Sequence, residues 1–165
     1  MRVIKTVEEL GAFRKKLWSE KKTLSFVPTM GALHDGHLSL VKEGMKKADH
    51  CLPYIFLNPR QFSENEDLDH YPKTLDIDIE KLKHIGATHI YIPEYKEIYP
   101  QGFSTTIKSG NIGKFLEGEC RPHFFDGVCT VVCKMLLQAC PDICLFGEKD
   151  FQQLFVIQHM VRDLN

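Results

Sequence analysis

Val27-Pro28-Thr29-Met30-Gly31-Ala32-Leu33-His34-Asp35-Gly36-His37 is a stretch that joins two different patterns of apolar residues. The run at 24–27 is typical of a buried strand, and the residues that follow show helical spacing, at Leu38, Val41, Met45 and Ala48. A strand, a glycine-bearing turn and a helix N-terminus form a ready anion site, because the first helical N–H groups have no intrahelical partner. His34 and His37 can donate hydrogen bonds to phosphate there, and Gly36 leaves room for a nucleotide. We therefore expect this turn to hold the phosphates of a nucleotide.

A second glycine turn, Gly147-Glu148-Lys149-Asp150, has the same arrangement of strand, glycine and helix start. Lys149 would bring a positive charge to a phosphate, and Asp150 would cap the helix that follows. Gln153 lies on the first turn of that helix, where it can face a cleft. Two such turns on neighbouring strands would converge on one crevice. The alternative for the first turn is that Gly31 and Gly36 form an ordinary turn with solvated histidines, since the pattern HxGH recurs by chance.

Segments typical of strands and helices alternate along the chain. Helices are predicted over residues 7–20, 38–49, 75–85, 128–139 and 150–162, the first with a capping box at 6–9. Strands are predicted over residues 24–27, 51–57, 89–92 and 141–146, with a short β-like segment at 105–107. This alternation implies parallel pairing through right-handed crossovers. The predicted fold class is α/β, a Rossmann-like parallel sheet with helices on both faces, in one domain over residues 1–165.

Composition argues against several classes of protein. The 21 basic and 22 acidic residues nearly cancel, which argues against a nucleic-acid partner held by bulk charge. No apolar run approaches the length of a membrane span, and residues 1–6 lack the core of a signal peptide. The six cysteines form no CxxC pair, so free thiols in a reducing compartment are predicted. We expect a cytoplasmic protein with no membrane partner.

Two further groups carry possible chemistry. Asn58 and Gln61 follow the predicted strand 51–57, at the end where open α/β sheets bind ligands. Their neutral amides can recognise hydroxyl and carboxylate oxygens, although Asn-Pro is also a common turn. Asp76 and Asp78 do not share a helix face, so we do not expect them to bind Mg²⁺ together, and most acidic residues here should be solvated near the helix start.

Five blocks of sequence, in the same order, resemble the pantothenate synthetase family. They are VPTMGALHDGHLSL at 27–40, IFLNPRQF at 55–62, DLDHYPKTL at 67–75, EGECRP with GV and TVV at 117–132, and FGEKDFQQL at 146–154. The resemblance implies a ligase of pantothenate biosynthesis, on the coenzyme A pathway. Such an enzyme condenses pantoate with β-alanine through a pantoyl adenylate made from ATP, releasing AMP and pyrophosphate.

The resemblance also implies a role for each matching residue. The catalytic residues would be His34, His37 and Lys149, which contact the phosphates of ATP. ATP would also contact Met30, Gly36, Gly147 and Asp150. Pantoate would contact Pro28, Asn58, Gln61 and Gln153. Mg²⁺ would accompany ATP, and Asp78 matches an acidic position near the metal, although its neighbour Ile77 departs from the usual acidic residue.

The resemblance leaves some differences and alternatives. His123 is displaced by one position from the family's RPGHF pattern, and Arg60 stands where a small or apolar residue is usual, at the expected mouth of the pantoate site. Family members are homodimers and continue into a second domain over the ATP site, so residues 1–165 are expected to bind ligands but turn over poorly. HxGH alone also fits a phosphopantetheine or cytidylyl transferase, or a nucleotide-binding module without chemistry. NPxQF together with GEKDxQQ is not expected in such a transferase. A response to pantoate would exclude a nucleotide-binding module without chemistry.

Overall fold

A computed structural model describes residues 1–62, 72 and 74–165. Its strands are β1 (Arg2–Ile4), β2 (Leu24–Thr29), β3 (His50–Ile55), β4 (His89–Tyr91) and β5 (Ile143–Cys144). Its helices are α1 (Val7–Ser19), α2 (Asp35–Lys47), α3 (Leu75–His84), α4 (Tyr95–Ile98), α5 (Glu117–Cys120), α6 (Phe124–Ala139) and α7 (Phe151–Leu164). The strands form one sheet in the order β1-β4-β3-β2-β5, and every pair is parallel. The predicted parallel sheet is confirmed.

The two faces of the sheet carry separate apolar cores. One core contains residues of α1, α6 and α7 packed on Phe26 and Tyr54. The other contains residues of α2 and α3, Val41 and Leu82, packed on Val27. Helices therefore cover both faces, as the alternation of strands and helices predicted.

The capping box predicted at residues 6–9 begins α1. The Thr6 hydroxyl accepts the Glu9 N–H at 3.1 Å, and the Glu9 carboxylate accepts the N–H groups of Lys5 at 2.7 Å and Thr6 at 3.4 Å. These bonds satisfy N–H groups that have no partner inside the helix, and they fix where α1 begins.

Pro53 lies within β3, a central strand, although proline has no N–H for the ladder. The N–H groups of His50 and Phe56 donate toward β2, so the alternation along the strand turns the nitrogen of Pro53 toward β4. On that side β3 and β4 pair only through Tyr54 and Tyr91. The missing donor therefore falls where the described pairing is sparse.

Strand order places the two glycine turns side by side. β2 lies between β3 and β5, and the chain leaves β2 toward β3 but later returns to its other side as β5. The carboxyl ends of β2 and β5 are therefore adjacent at a point where the direction of winding changes. Such switch points are where open α/β sheets bind ligands.

Several predicted elements differ from the structure. The edge strand β1 was not predicted, and α6 begins at Phe124 rather than at residue 128. The β-like segment 105–107 is not a strand, because the Ile107 N–H donates to the Thr130 hydroxyl on α6 at 3.0 Å. Asp150 makes no side-chain cap on α7, so that prediction was wrong.

Other expectations concern the cysteines, the membrane and the block at 67–75. All six cysteines are free, as predicted, although Cys120 and Cys140 are exposed. Within the described ranges, no helix is long and apolar enough to cross a bilayer. Residues 63–71 and 73 contain most of the block at 67–75, so only residues 72, 74 and 75 of that block are described.

Candidate active site

The turn after β2 is held open by a buried carboxylate from α3. Gly31 and Ala32 both have positive φ, at 86° and 50°, which turns successive backbone N–H groups to one side. Asp78 is 1% exposed and accepts the N–H groups of Ala32 and Leu33, each at 2.8 Å. Thr74 donates its hydroxyl to the same carboxylate at 3.0 Å. These three hydrogen bonds fix the shape of the turn from within the protein.

This role of Asp78 differs from the expectation that the acidic residues of α3 are solvated. Asp78 is not solvated, and both of its oxygens already accept hydrogen bonds. Lys81, one turn further along α3, donates to the Leu33 carbonyl at 2.6 Å and adds a second hold on the turn. Among the described residues, no group of three or more His, Cys, Asp and Glu side chains could hold a metal ion. Binding of Mg²⁺ by Asp78 stays a prediction, without support from this geometry.

The two histidines form a cap on α2. His34 is the N-cap residue, and its Nδ1 accepts the Gly36 N–H at 3.1 Å. His37 Nδ1 accepts the His34 N–H at 3.4 Å, and the centroids of the two imidazole rings lie 4.1 Å apart. Because a backbone N–H can only donate, each Nδ1 acts as an acceptor, and a neutral ring then carries its hydrogen on Nε2. Both imidazoles therefore offer one Nε2–H donor to a ligand.

His37 is suited to act as a neutral donor rather than as a cation. Burial lowers the pKa of His37 from its ordinary value of 6.5, and the neighbouring His34 lowers it further. Protonation at Nδ1 would also break the cap on α2. Gly36 has an equally local reason, since a Cβ there would lie 2.9 Å from Cε1 of His34. The glycine makes room for the capping imidazole, in addition to any room for a nucleotide.

The second glycine turn lies within electrostatic reach of this cap. After burial, the charge of His34 and that of Asp78, the charge of Lys149 lowers the pKa of His37 and that of Asp150 raises it. A Cβ at Gly147 would lie 4.0 Å from Leu40 of α2, so the second turn also lies against the helix that the two histidines cap. The Lys149 side chain is 86% exposed, with its Nζ 3.9 Å from the Asp150 carboxylate. Its charge is therefore available to an anion between the turns.

Seven of the predicted binding residues line one cavity of about 140 Å³ between the two turns and α6. They are Pro28, Met30, His37, Asn58, Gln61, Asp150 and Gln153. The other four residues predicted for ATP are exposed on the turns themselves: His34, Gly36, Gly147 and Lys149. An adjoining hollow of about 220 Å³ shares Met30, Gln61, Asp150 and Gln153 with the cavity and extends toward Arg121. The structure therefore brings seven of these eleven predicted residues together in one cavity.

The largely apolar wall of the cavity was not predicted as part of a site. It consists of Thr29, Tyr54, Phe56, Val128, Val131, Val132, Met135 and Phe146. The nearly continuous apolar run of α6 indicated only that this helix is buried. Which of its faces meets a ligand depends on how α6 packs against β2 and β3, and no local pattern carries that information.

Neither Arg60 nor His123 is among the described residues that line the candidate cavity. The Arg60 guanidinium lies over the rings of Tyr99 and Phe103, 4.7 Å from each centroid. Arg60 is not among the described residues that line the cavity, so the structure does not place it at the expected mouth. His123 has a left-handed backbone, with φ of 74°, and lines a separate hollow of about 430 Å³ with Lys108 and Lys114.

Known proteins resemble this chain throughout its length. A family model described as pantoate-beta-alanine ligase matches residues 2–165. A pantothenate synthetase from Novosphingobium aromaticivorans is 47% identical over 165 residues, which are 100% of this chain and 58% of that protein. One from Thermosipho africanus is 44% identical over 165 residues, again all of this chain and 59% of the relative.

Solved structures agree with the sequence comparison. The crystal structure of pantothenate synthetase from Thermus thermophilus has a TM-score of 0.91 at 41% identity, covering 99% of this chain and 58% of that one. The ligase from Francisella tularensis, complexed with beta-gamma ATP and beta-alanine, has a TM-score of 0.94 at 37% identity and covers 99% and 63%. The chain thus spans less than two thirds of the length of these relatives. Over the length that it does span, the chain belongs to the pantoate–β-alanine ligase family.

Proposed function

We propose that residues 1–165 form the nucleotide- and pantoate-binding domain of an ATP-dependent ligase that joins pantoate to β-alanine. The observation that carries the proposal is the shared cavity, which combines His37 of the first turn, Asp150 of the second and the amides of Gln61 and Gln153. An anion-binding turn beside neutral amide groups suits a reaction between a nucleotide and a carboxylic acid. The family membership of the chain supports the same substrates.

The cavity wall suits pantoate in chemical character. Pantoate has a dimethyl-substituted carbon, two hydroxyls and one carboxylate. The valines and Met135 of α6 offer apolar contact to the methyl groups, and Gln61 and Gln153 offer polar contact to the oxygens, with Asn58 nearby. Pro28 completes the floor at the end of β2. Neutral amides recognise the carboxylate without neutralising it, so it keeps its charge as a nucleophile.

In the first proposed step, a carboxylate oxygen of pantoate attacks the α-phosphorus of ATP. The new oxygen–phosphorus bond forms as the bond to the β-phosphate oxygen breaks, which gives pantoyl adenylate and pyrophosphate. The Nε2–H groups of His34 and His37 donate to phosphate oxygens, and Lys149 stabilises the charge that develops on the leaving pyrophosphate. Met30, Gly36 and Gly147 contact the nucleotide through their backbones, and Asp150 lies at the ribose.

In the second proposed step, the amine of β-alanine attacks the acyl carbon of the adenylate. The carbon–nitrogen bond forms, AMP leaves with the electrons of the broken carbon–oxygen bond, and the nitrogen loses a proton. No covalent intermediate with the protein is required, so positioning supplies much of the catalysis. Mg²⁺ enters with ATP as part of the substrate, since the negative charge of the triphosphate requires a cation.

The proposal includes the behaviour of these residues as an isolated polypeptide. Residues 1–165 bind ATP and pantoate but turn over slowly, because the exposed Lys149 and His34 need further cover to exclude water from the phosphates. A homodimer in the cytoplasm is the assembly and location that we propose for the enzyme.

Calorimetry with ATP and pantoate, separately and together, tests the proposal. We expect each ligand to bind, and pantoate to bind more tightly once a non-hydrolysable ATP analogue is present. Binding of ATP with no response to pantoate would overturn the ligase and favour a nucleotide-binding module. Pantoate-dependent exchange of pyrophosphate into ATP, measured on the same polypeptide, should be detectable but slow.

A further inference from the structure

The orientation of the Asn58 side chain is determined by backbone groups on both sides. The Arg60 N–H, which can only donate, lies 3.3 Å from Oδ1, and the Gly127 carbonyl, which can only accept, lies 3.3 Å from Nδ2. The two amide atoms are thereby told apart. Gly127 allows α6 to approach this closely, since a Cβ there would lie 2.4 Å from the Arg60 carbonyl oxygen.

Tyr99 supplies the shortest hydrogen bond to Asn58. Its hydroxyl lies 2.8 Å from Oδ1, and because Oδ1 only accepts, the hydroxyl donates. Tyr99 is 3% exposed and Asn58 is 1% exposed, so neither group has water as a ready substitute. The Arg60 guanidinium stacks on the Tyr99 ring at 4.7 Å and holds it in place. Tyr99 does not line the cavity itself.

The fixed Asn58 amide in turn orients Gln61. Asn58 Nδ2 donates to Gln61 Oε1 at 3.1 Å, which leaves Gln61 Nε2 as the group that faces away from Asn58. Nε2 lies 2.8 Å from the sulfur of Met30, and both residues line the cavity. A thioether sulfur is a weak acceptor, so a ligand oxygen can readily replace it.

We propose that Tyr99 is a positioning residue that acts through Asn58 to present the Gln61 amide as a hydrogen-bond donor in the cavity. The subsite then takes an acceptor oxygen, such as one from the pantoate carboxylate, and opposes a ligand that offers a donor at the same point. This inference rests on the proposed function only for the identity of the ligand. The orientation of the Gln61 amide follows from the chain of hydrogen bonds alone.

The variant Tyr99→Phe removes the hydroxyl and keeps the ring that Arg60 covers. Loss of one hydrogen bond within a buried chain should raise the pantoate dissociation constant about tenfold and change that of ATP by less than about twofold. Tyr95→Phe is the matched control, because Tyr95 is half exposed and its ring lies 5.2 Å from that of Tyr99. It should change neither constant. Equal pantoate affinity in Tyr99→Phe and the unaltered protein would overturn the proposal.

A second measurement keeps this inference separate from the proposed function. In the ligand-free protein, the side-chain NH₂ of Gln61 should give two resolved NMR signals, which shift or broaden in Tyr99→Phe and remain in Tyr95→Phe. If the unaltered protein binds no pantoate, the proposed function fails. Unchanged Gln61 signals in Tyr99→Phe would overturn the positioning role of Tyr99, whether or not pantoate binds.

A third variant applies if Tyr99→Phe does not fold. Asn58→Asp replaces the donor beside Gln61 Oε1 with an acceptor, so the Gln61 amide should turn over and pantoate affinity should fall by about tenfold or more. Melting temperatures identify which variants are folded. Unaltered pantoate affinity in a folded Asn58→Asp protein would overturn the proposal in the same way.

Discussion

The carboxylate of Asp78 holds the turn between β2 and α2, and the substitution Asp78→Asn tests how much that hold contributes. The charged group accepts the N–H groups of Ala32 and Leu33 at 2.8 Å and the Thr74 hydroxyl at 3.0 Å, while 1% exposed. An asparagine has nearly the same shape but only one acceptor oxygen. Its NH₂ group must face one of the two backbone N–H groups, where donor meets donor.

The magnitude follows from the bonds that are lost. Hydrogen bonds to a charged group contribute roughly 1.5–3 kcal/mol each, and a buried donor without a partner costs roughly 1–3 kcal/mol. Asp78→Asn loses one such bond outright, weakens the second by removing the charge, and leaves one N–H unsatisfied. We expect the free energy of unfolding to fall by about 3 kcal/mol. ATP affinity should fall as well, because the turn that presents His34 and His37 loses its shape.

Urea denaturation followed by circular dichroism measures the change in stability. Asp76→Asn is the matched control, since Asp76 lies in the first turn of the same helix but is exposed. It removes the same charge near the same helix end and should change stability by no more than about 0.5 kcal/mol. A loss in Asp78→Asn as small as that of the control would refute the idea that this carboxylate builds the turn.

Three further predictions concern single residues. Gly127→Ala should lower the free energy of unfolding by about 1–3 kcal/mol, because its Cβ meets the backbone of residue 60. Gly11→Ala, whose Cβ meets nothing within 4 Å, should raise it by about 0.5–1 kcal/mol, and equal effects of the two variants in thermal unfolding would contradict this. The Tyr54 hydroxyl is buried with no hydrogen-bond partner among the described residues. Tyr54→Phe should therefore leave the free energy of unfolding unchanged or raise it by up to about 2 kcal/mol. A lower free energy of unfolding in urea denaturation would show that the hydroxyl does have a partner. Burial lowers the pKa of His37 below its ordinary value of 6.5, so the stability that its neutral form contributes is complete above pH 6.5 and is lost as the pH falls through the folded pKa. Nitrogen NMR should show the Nε2–H tautomer at neutral pH and a titration midpoint below pH 6.5. A midpoint above pH 6.5 would exclude the cap.

Much of the fold could be predicted because its signals are local. The apolar runs of β2, β3 and β4 and the helical spacing of α1 and α2 each lie within one short segment. β1 escaped prediction because three residues are too few to show a period. The segment 105–107 has strand-forming residues, but its N–H at Ile107 bonds to Thr130 of α6 instead of to a strand.

The candidate site could be predicted only in part, for the same reason. HxGH and NPRQF each follow a strand, so His37, Asn58 and Gln61 could be placed at the one edge of the sheet where the carboxyl ends of parallel strands meet. The role of Asp78 could not, since it bonds to backbone groups 45 and 46 residues away. Nor could the role of Tyr99, because it acts through Asn58, 41 residues earlier, and touches no motif of its own.

A co-crystal structure of residues 1–165 with a non-hydrolysable ATP analogue would test most directly whether the two glycine turns serve one nucleotide. We expect phosphate oxygens within about 3.2 Å of Nε2 of His34 and His37 and of Nζ of Lys149, all from a single triphosphate. A triphosphate held by one turn, with the other turn facing a different compartment, would show that the two turns do not form one site.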